Sequence, residues 1–420
     1  MFSAPQPRSK LYTSASNYLK GLAVAFGRRR EESARTALEH SLGELNPGAR
    51  AIATPMARVG IYLAVKNLIR PGQKVILSPY TITDVVNMIL CAGGVPVFAD
   101  VEPSGSCNID PNAVLDLIET EHDVGAILVT HFYGLICDIE PILDTCMRKG
   151  IPVVEDAAQS FGARLGGRTA GTLGQAGVFS FGLLKNVTGF LGGAVLTGDA
   201  GLERKIRAEL ASMPGMPARM LLEKMAKGAA LDIATCPPVF DMATYWLFRY
   251  AHLRGRKLFS NQLSIDASPI SYSVFPDNYA WQMSGTQAEI IRSHLAHCQR
   301  DNEERIAKAQ IYNDGLRDMP GLVLPPLRRD GSHIYLHYPI QCADRDALAR
   351  SLTRRLRDVQ VSHHRNCARL PCFSAFARDC PNAERAACSV IYLPTYPGYR
   401  DQEVRANIDA IRAHFREGNA

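Results

Sequence analysis

The stretch VVEDAAQSFGARLGGRTAGTLGQAGVFSFGLLKNVTGFLGGAVLTGD, residues 153–199, decides the reading of this chain. Pro152 to Asp156, Val178 to Phe181 and Ala194 to Thr197 are short apolar runs bounded by glycine or polar residues, which read as buried strands. Asp156 ends the first of them, at the carboxyl edge where open α/β sheets place their ligands. An acid there needs a partner, and a protonated pyridine nitrogen would be one. Gly162 to Gly177 carries six glycines, which permit tight turns and close approach of the backbone to a ligand. Ser180 lies on the second strand, with Lys185 just beyond it and Gly189, Gly192 and Gly193 following. A lysine at a strand exit among small residues can be desolvated, which favours the neutral amine that attacks an aldehyde. Taken alone, Lys185 reads more readily as a surface lysine, so its meaning depends on its neighbours.

Working outward, residues 47 to 200 alternate such runs with longer helical patterns, the signature of βαβ units and a mainly parallel sheet. Further strands are expected at Lys74 to Ser78, Pro96 to Ala99 and Gly125 to Thr130. Helices are expected at Val59 to Leu68, Asp84 to Leu90, Pro111 to Glu119 and Ile139 to Arg148, with Asp110–Pro111 as a helix start. From about residue 203 to 275 the texture changes to arginine, methionine and aromatic residues without strand alternation. A long helix through Gln287 to Ala307 is expected next. HIYLHYPIQ, a helix at Arg345 to Leu356, VQVSHH and a helix near Glu403 to Phe415 then predict a smaller α/β domain.

The 420 residues, 46% of them hydrophobic, suffice for a large core. The 47 basic and 41 acidic residues leave +6 without a long basic run, which argues against a nucleic-acid partner and suits phosphorylated substrates. The 11 cysteines form no CxxC pair and no zinc-spaced cluster, so they read as reduced thiols of a cytoplasmic protein. No signal peptide is expected from the first thirty residues, and no run of about 18 apolar residues would span a membrane.

With these residues in view, the stretch resembles the core of the DegT/DnrJ family of sugar aminotransferases, fold type I enzymes that use pyridoxal 5'-phosphate (PLP). That family's pattern is an E-D-A-A-Q strand end, a G-x-x-x-G-x-x-G turn, and F-S-F-x-x-x-K followed by a glycine pair. Here these are Glu155 to Gln159, then Gly167, Gly171 and Gly174, then Phe179 to Phe181 with Lys185, and Gly192 with Gly193. Residues 71–114, THFYG at 130–134, MSGTQA at 283–288 and CPNAERAACSVIYLPTYPGY at 380–399 extend the resemblance from about residue 35 to 415.

The resemblance implies an N-terminal arm (1–34), a large PLP-binding domain (35–285), and a linking helix with a small C-terminal α/β domain (286–420). It implies Lys185 as Schiff-base former and proton shuttle, Asp156 as partner of the pyridine nitrogen, Gln159 as donor to the ring oxygen, and Ser180 as a phosphate ligand. The family's phosphate-binding turn falls on Ala57 to Ile61, where Arg58 replaces a hydroxyl residue and the N–H groups around Val59 would serve. Ile82 falls where an aromatic usually stacks on the ring. Gln282 replaces the arginine that reaches the phosphate from the neighbouring subunit of a homodimer. His363 and His364 match a substrate-lining pair. His131, in the HFYG turn, is a further substrate candidate, although a structural histidine bridging loop backbone is the stronger reading of it. No metal site is expected.

The implied reaction moves an amino group from an amino acid, usually glutamate, to a keto sugar on a nucleotide or lipid carrier. A sugar dehydratase, a transaminase of a non-sugar cyclic ketone and a non-catalytic scaffold are the alternatives. Dehydratases of the family carry histidine in place of Lys185. The resemblance has a gap at roughly residues 212–275. There MPARMLLEKMAKGAALDIATCPPVF and YWLFRYAHLRGRKLF mix apolar, aromatic and basic residues, and YLKGLAVAFGRRR near the start has the same character. The gap reads as a dimer-stabilising helical insert or as a peripheral membrane contact through 212–262.

Overall fold

Short runs of Val, Ile, Leu and Ala form seven strands: β1 Arg50–Thr54, β2 Lys74–Leu77, β3 Val95–Phe98, β4 Val124–Thr130, β5 Val153–Asp156, β6 Ala176–Ser180 and β7 Gly193–Thr197. They make one sheet in the order β1-β7-β6-β5-β4-β2-β3. Only β7 runs against the others, pairing antiparallel with both β1 and β6. Alternate side chains enter different cores, Val75, Leu77, Ala126 and Leu128 on one face and Ile76, Ile127 and Val129 on the other. A sheet covered on both faces therefore reads as continuous apolar runs. The computed structural model describes residues 5–11, 13–25, 31–254 and 269–417.

Helices Ala57–Leu68, Thr83–Cys91, Pro111–Thr120 and Glu140–Lys149 connect the strands. Asp110 caps the third by accepting from the Asn112 N–H at 2.9 Å, with Pro111 at the first helical position. β1 was absent from the expected strands because Arg50–Thr54 carries two alanines and one β-branched aliphatic residue, a weak strand signal.

A second, four-stranded antiparallel sheet is built from β8 Leu322–Val323, β9 Tyr338–Cys342, β10 Gln360–Val361 and β11 Val390–Leu393, in the order β8-β9-β11-β10. Helices Cys298–Leu316, Arg345–Arg354 and Asp401–Glu417 complete its core. The two bodies are stitched at the ligand edge of the large sheet, where Tyr80–Thr81 pairs antiparallel with Arg365–Asn366.

The expected single helix from Gln287 onward is two helices, Gly285–Leu295 and Cys298–Leu316. The first opens on a capping box of Ser284 and Gln287, and His294 Nδ1 meets the Thr188 carbonyl at 2.7 Å. The second turns Cys298 and Asn302 onto the Phe161 carbonyl and Asn186. The break lets each half fit a different side of the Lys185 loop. The insert carries helices Ala218–Thr235, Pro237–Val239 and Tyr245–Leu253, with a π-helical turn at Phe240–Thr244. Its sequence from 255 to 268 lies outside the described residues, as do 26–30 of the N-terminal segment.

Candidate active site

β6 delivers Ser180 to the carboxyl edge of the sheet, and a loop from 181 to 192 carries Lys185 before β7 returns. The loop is closed at its neck by Gly189 N–H to the Phe181 carbonyl and Phe181 N–H to the Gly192 carbonyl, both 2.9 Å. A Cβ on Gly189 would come within 2.6 Å of Ile291, so glycine is what lets the loop lie against helix Gly285–Leu295. Phe190 adopts φ +64°, a costly value for a side-chain-bearing residue. It is held by burial among Leu221, Met225 and Ile290, with Tyr18 at 5.1 Å between ring centres.

Burial pushes the Lys185 ammonium down to about 8, with the Asp156 carboxylate opposing the shift. Burial raises Asp156 above the ordinary carboxylate range, opposed by the Ala158 N–H at 3.1 Å and by the lysine charge. One pocket thus holds an amine biased toward its neutral form and a carboxyl in need of a cation.

A second feature lies across from Ser180. Helix Ala57–Leu68 begins at Met56 without any side-chain cap, so its first N–H groups face outward. Gly193, the register partner of Ser180, sits so close that a Cβ would lie 2.6 Å from Ala57 N. Backbone N–H groups, a hydroxyl and a dipole end therefore surround one space, a ready anion cup. Val59 is fully buried and can offer only its backbone there. Arg58 directs its guanidinium to Asp84 and, at 2.7 Å, to Tyr279 Oη, and Asp84 also accepts from Tyr272 Oη at 2.9 Å. Ile82 is the N-cap of helix Thr83–Cys91 and packs half-buried against the large core. Gln282 bonds within its own chain, to the Met213 carbonyl at 2.7 Å.

Gln159 Oε1 accepts from the Tyr133 N–H at 3.0 Å, which turns its amino group toward His364 Nε2 at 3.5 Å. His364 Nδ1 meets Tyr392 Oη at 2.9 Å, and burial drives its pKa well below the usual value. Tyr80, Tyr133, Ser362 and Tyr392 continue this as a hydroxyl network with links of 2.7–2.8 Å. His363 stacks on His364 at 4.5 Å, and His337 stacks on Tyr392 at 4.9 Å. His337 is pushed down to about 3 by burial, and Arg305 and Lys185 also disfavour its charge. His337, Tyr392, Tyr133 and Ser362 were not singled out from sequence as site residues, and Tyr80 was weighed only as a substitute for Ile82 over the ring and expected to point to the other face. The one available sign was a histidine breaking the apolar run HIYLHYPIQ.

The substrate contact expected of His131 does not fit its surroundings. The ring is fully buried, Nε2 donates to Glu155 at 2.9 Å, and Nδ1 accepts from the Cys137 N–H at 3.3 Å. Both nitrogens are used, and the residue is a brace. Glu155 also accepts from the N–H groups of Gly171, Leu173 and Gly174 at 2.6–2.7 Å, locking the glycine turn.

These residues fit PLP. A lysine favouring its neutral form can bond the aldehyde, an underpaired buried aspartate can face the pyridine nitrogen, and the open helix start with Ser180 and Gly193 can take a phosphate. Set on a mainly parallel sheet with a smaller domain closing its carboxyl edge, they define a fold type I PLP-dependent aminotransferase. The chain belongs to the DegT/DnrJ/EryC1/StrS aminotransferase family, whose profile matches residues 28–228 and 267–412. The segment 229–266 is thus outside the family pattern, a narrower insert than the sequence texture suggested. The spore coat polysaccharide biosynthesis protein SpsC of Bacillus subtilis (strain 168) is 28% identical over 375 residues, covering 86% of this chain and 84% of its own length. The UDP-N-acetyl-3-dehydro-alpha-D-glucosamine 3-aminotransferase of Acidithiobacillus ferrooxidans is 25% identical over 383 residues, covering 90% and 87%. An aminotransferase from Psychrobacter cryohalolentis superposes with a TM-score of 0.77 at 20% identity, covering 99% of this chain and 100% of its own, a likeness of fold.

Proposed function

We propose that this aminotransferase moves an amino group from an amino acid, glutamate in the first instance, to a keto sugar on a nucleotide or lipid carrier. The observation that carries the reading is the opposite bias of Lys185 and Asp156 in one pocket, beside an anion cup of the right chemistry. The identity of the acceptor class rests on relatives, among which the Acidithiobacillus ferrooxidans protein acts on a UDP-linked keto sugar by its name.

When bound, PLP supplies an electron sink that lets an amino group be taken from one substrate and given to another. In this reading Lys185 Nζ would hold the cofactor, and its amine, when free, would serve as the group that takes up and returns a proton at the reacting carbon. Asp156 holds a proton at the ring nitrogen. Gln159, oriented by Tyr133 and His364, donates to the ring oxygen. Ser180 and the N–H groups of Ala57 to Val59 hold the phosphate, and Ile82 covers one face of the ring with aliphatic surface. His363 and His337 line the acceptor side, His337 as a neutral hydrogen-bonding group. His364 serves as a positioning residue for Gln159, a change from the substrate contact expected of it. In this reading the enzyme acts as a homodimer in the cytoplasm.

The test is to load the purified protein with PLP, record its visible absorption, and add glutamate and then UDP- or dTDP-linked keto sugars. Loss of the band with glutamate and its return with a keto sugar are expected. A protein that forms no band, or a band indifferent to every amino acid, overturns the proposal.

A further inference from the structure

The helical stretch from Ala218 to Leu253, which runs from the family-matched residues into the insert, has an inner and an outer side. Inside, Leu221, Met225 and Gly228 pack on Phe190 of the Lys185 loop, while Tyr245 is buried with its Oη donating to the Thr353 carbonyl at 2.9 Å. Outside, large apolar side chains face solvent: Ile233 (63% exposed), Val239 (37%), Met242 (83%), Trp246 (47%), Leu247 (52%) and Tyr250 (47%). Positions 239, 242, 246 and 250 follow helical spacing, so they form one stripe rather than scattered surface residues. The exposed Pro237 and Pro238 break the helix at the head of that stripe.

Charges of both signs surround it, Asp346, Asp358 and Glu403 among them, but the groups set against its exposed rings are arginines. The Arg249 guanidinium lies 5.6 Å from the exposed Trp246 ring and the Arg254 guanidinium 5.3 Å from that of Tyr250. Of the neighbouring acids, Glu223 is paired with Arg219 at 2.9 Å and Asp232 is held by Tyr18 Oη at 2.6 Å. Asp241, which is half-buried, is the remaining acid between residues 218 and 254. The sequence continues with Arg256 and Lys257. Tryptophan and tyrosine backed by arginine, beside long aliphatic side chains, is the chemistry of a helix lying in a lipid headgroup region. A second copy docked across a two-fold axis would set this arginine-edged stripe against its own image, like charge toward like.

We propose that the outer face of residues 233–254 docks on an anionic phospholipid surface, lying in its plane; no described helix is long and apolar enough to cross a membrane. The inner side of the same helices supports the Lys185 loop, so docking sets the active site beside the bilayer. Of the two carriers named above this favours the lipid, a consequence that rests on that reading, whereas the docking itself does not.

The full-length, PLP-loaded protein should be floated with vesicles of phosphatidylcholine alone and of phosphatidylcholine with phosphatidylglycerol. Binding to the anionic vesicles, weakened by salt, is expected. Met242→Asp with Leu247→Asp should lower the bound fraction about tenfold with the visible absorption unchanged, and Arg249→Glu with Arg254→Glu should remove the preference for anionic lipid. A Lys185→Ala protein should bind vesicles like the parent, which separates this test from the catalytic reading. The proposal is overturned by a parent protein that stays in buffer with both vesicles, by an apolar-to-acid variant that binds as well as the parent, or by variants that change the oligomeric mass instead of partition.

Discussion

Glu155→Gln offers a test in which a nearly isosteric change should be expensive. The Glu155 carboxylate is fully buried and one oxygen accepts from the Leu173 and Gly174 N–H groups at 2.6 and 2.7 Å, while the other accepts from the Gly171 N–H at 2.7 Å and His131 Nε2 at 2.9 Å. A glutamine can keep the first pair, but its amino group then faces two donors. His131 can invert its tautomer to receive one N–H, yet its Nδ1–H would then meet the Cys137 N–H. At least one buried donor is left opposing another, and charge-assisted bonds are lost, a cost of about 2–4 kcal/mol. At roughly 2 °C per kcal/mol for a chain of this size, the unfolding midpoint should fall by about 4–8 °C. Differential scanning calorimetry of the cofactor-free protein, parent against variant at one scan rate, reads this directly. A midpoint within about 1 °C of the parent would refute the claim that Glu155 is the lock of the glycine turn.

The next residue should behave oppositely. Asp156→Asn removes a carboxyl whose pKa burial has raised, so folding no longer has to bury its charge above the unfolded carboxyl pKa; near pH 7 the cofactor-free variant should melt no lower than the parent, while transamination falls by at least about 10²-fold. A variant that melts lower and keeps its activity would reverse the assignment. Because the Lys185 amine titrates near 8, the rate of PLP capture by the cofactor-free protein should rise with pH through about 8 and then level, as stopped-flow absorbance would show. A flat profile would remove the case for Lys185. Arg58→Ala should leave Asp84 and Tyr279 without their cation and speed amide exchange in residues 269–282, with PLP affinity changed by less than about threefold. A hundredfold loss of PLP affinity would show that the guanidinium serves the phosphate after all.

The large sheet was legible because each buried strand ended in glycine or a polar residue, and the predicted strand bounds differ from the observed ones by one or two residues. What escaped reading was set by distant contacts. β1 has little propensity of its own and exists because β7 offers an edge to pair with. The break at Ala296–His297 follows from two docking partners that the local periodicity does not encode. In the site, Lys185, Asp156, Gln159 and Ser180 stand on one contiguous motif and could be named. Tyr392 lies on one strand of the smaller sheet, His337 just precedes a second and Ser362 follows a third, so only folding brings them together. Arg58 was visible as a departure, but its partner Tyr279 lies more than two hundred residues away.

The hydroxyl network explains why the smaller body has to close on this particular edge. Tyr80, Tyr133 and Gln159 come from the large-sheet body, whereas Ser362, His364 and Tyr392 come from the other. Tyr133 is held at φ +58°, a strained value that its burial and its bonds to Gln159 and Tyr80 make tolerable. The geometry requires His364 to carry its proton on Nδ1, toward Tyr392, if Nε2 is to receive the Gln159 amino group. That tautomer fixes the amide of Gln159, which in the proposed reading would leave its second N–H for the cofactor ring oxygen. The contact between the two bodies and the orientation of the Gln159 amide therefore depend on one network, and the neutral state of His364, favoured by its burial, is a condition for both.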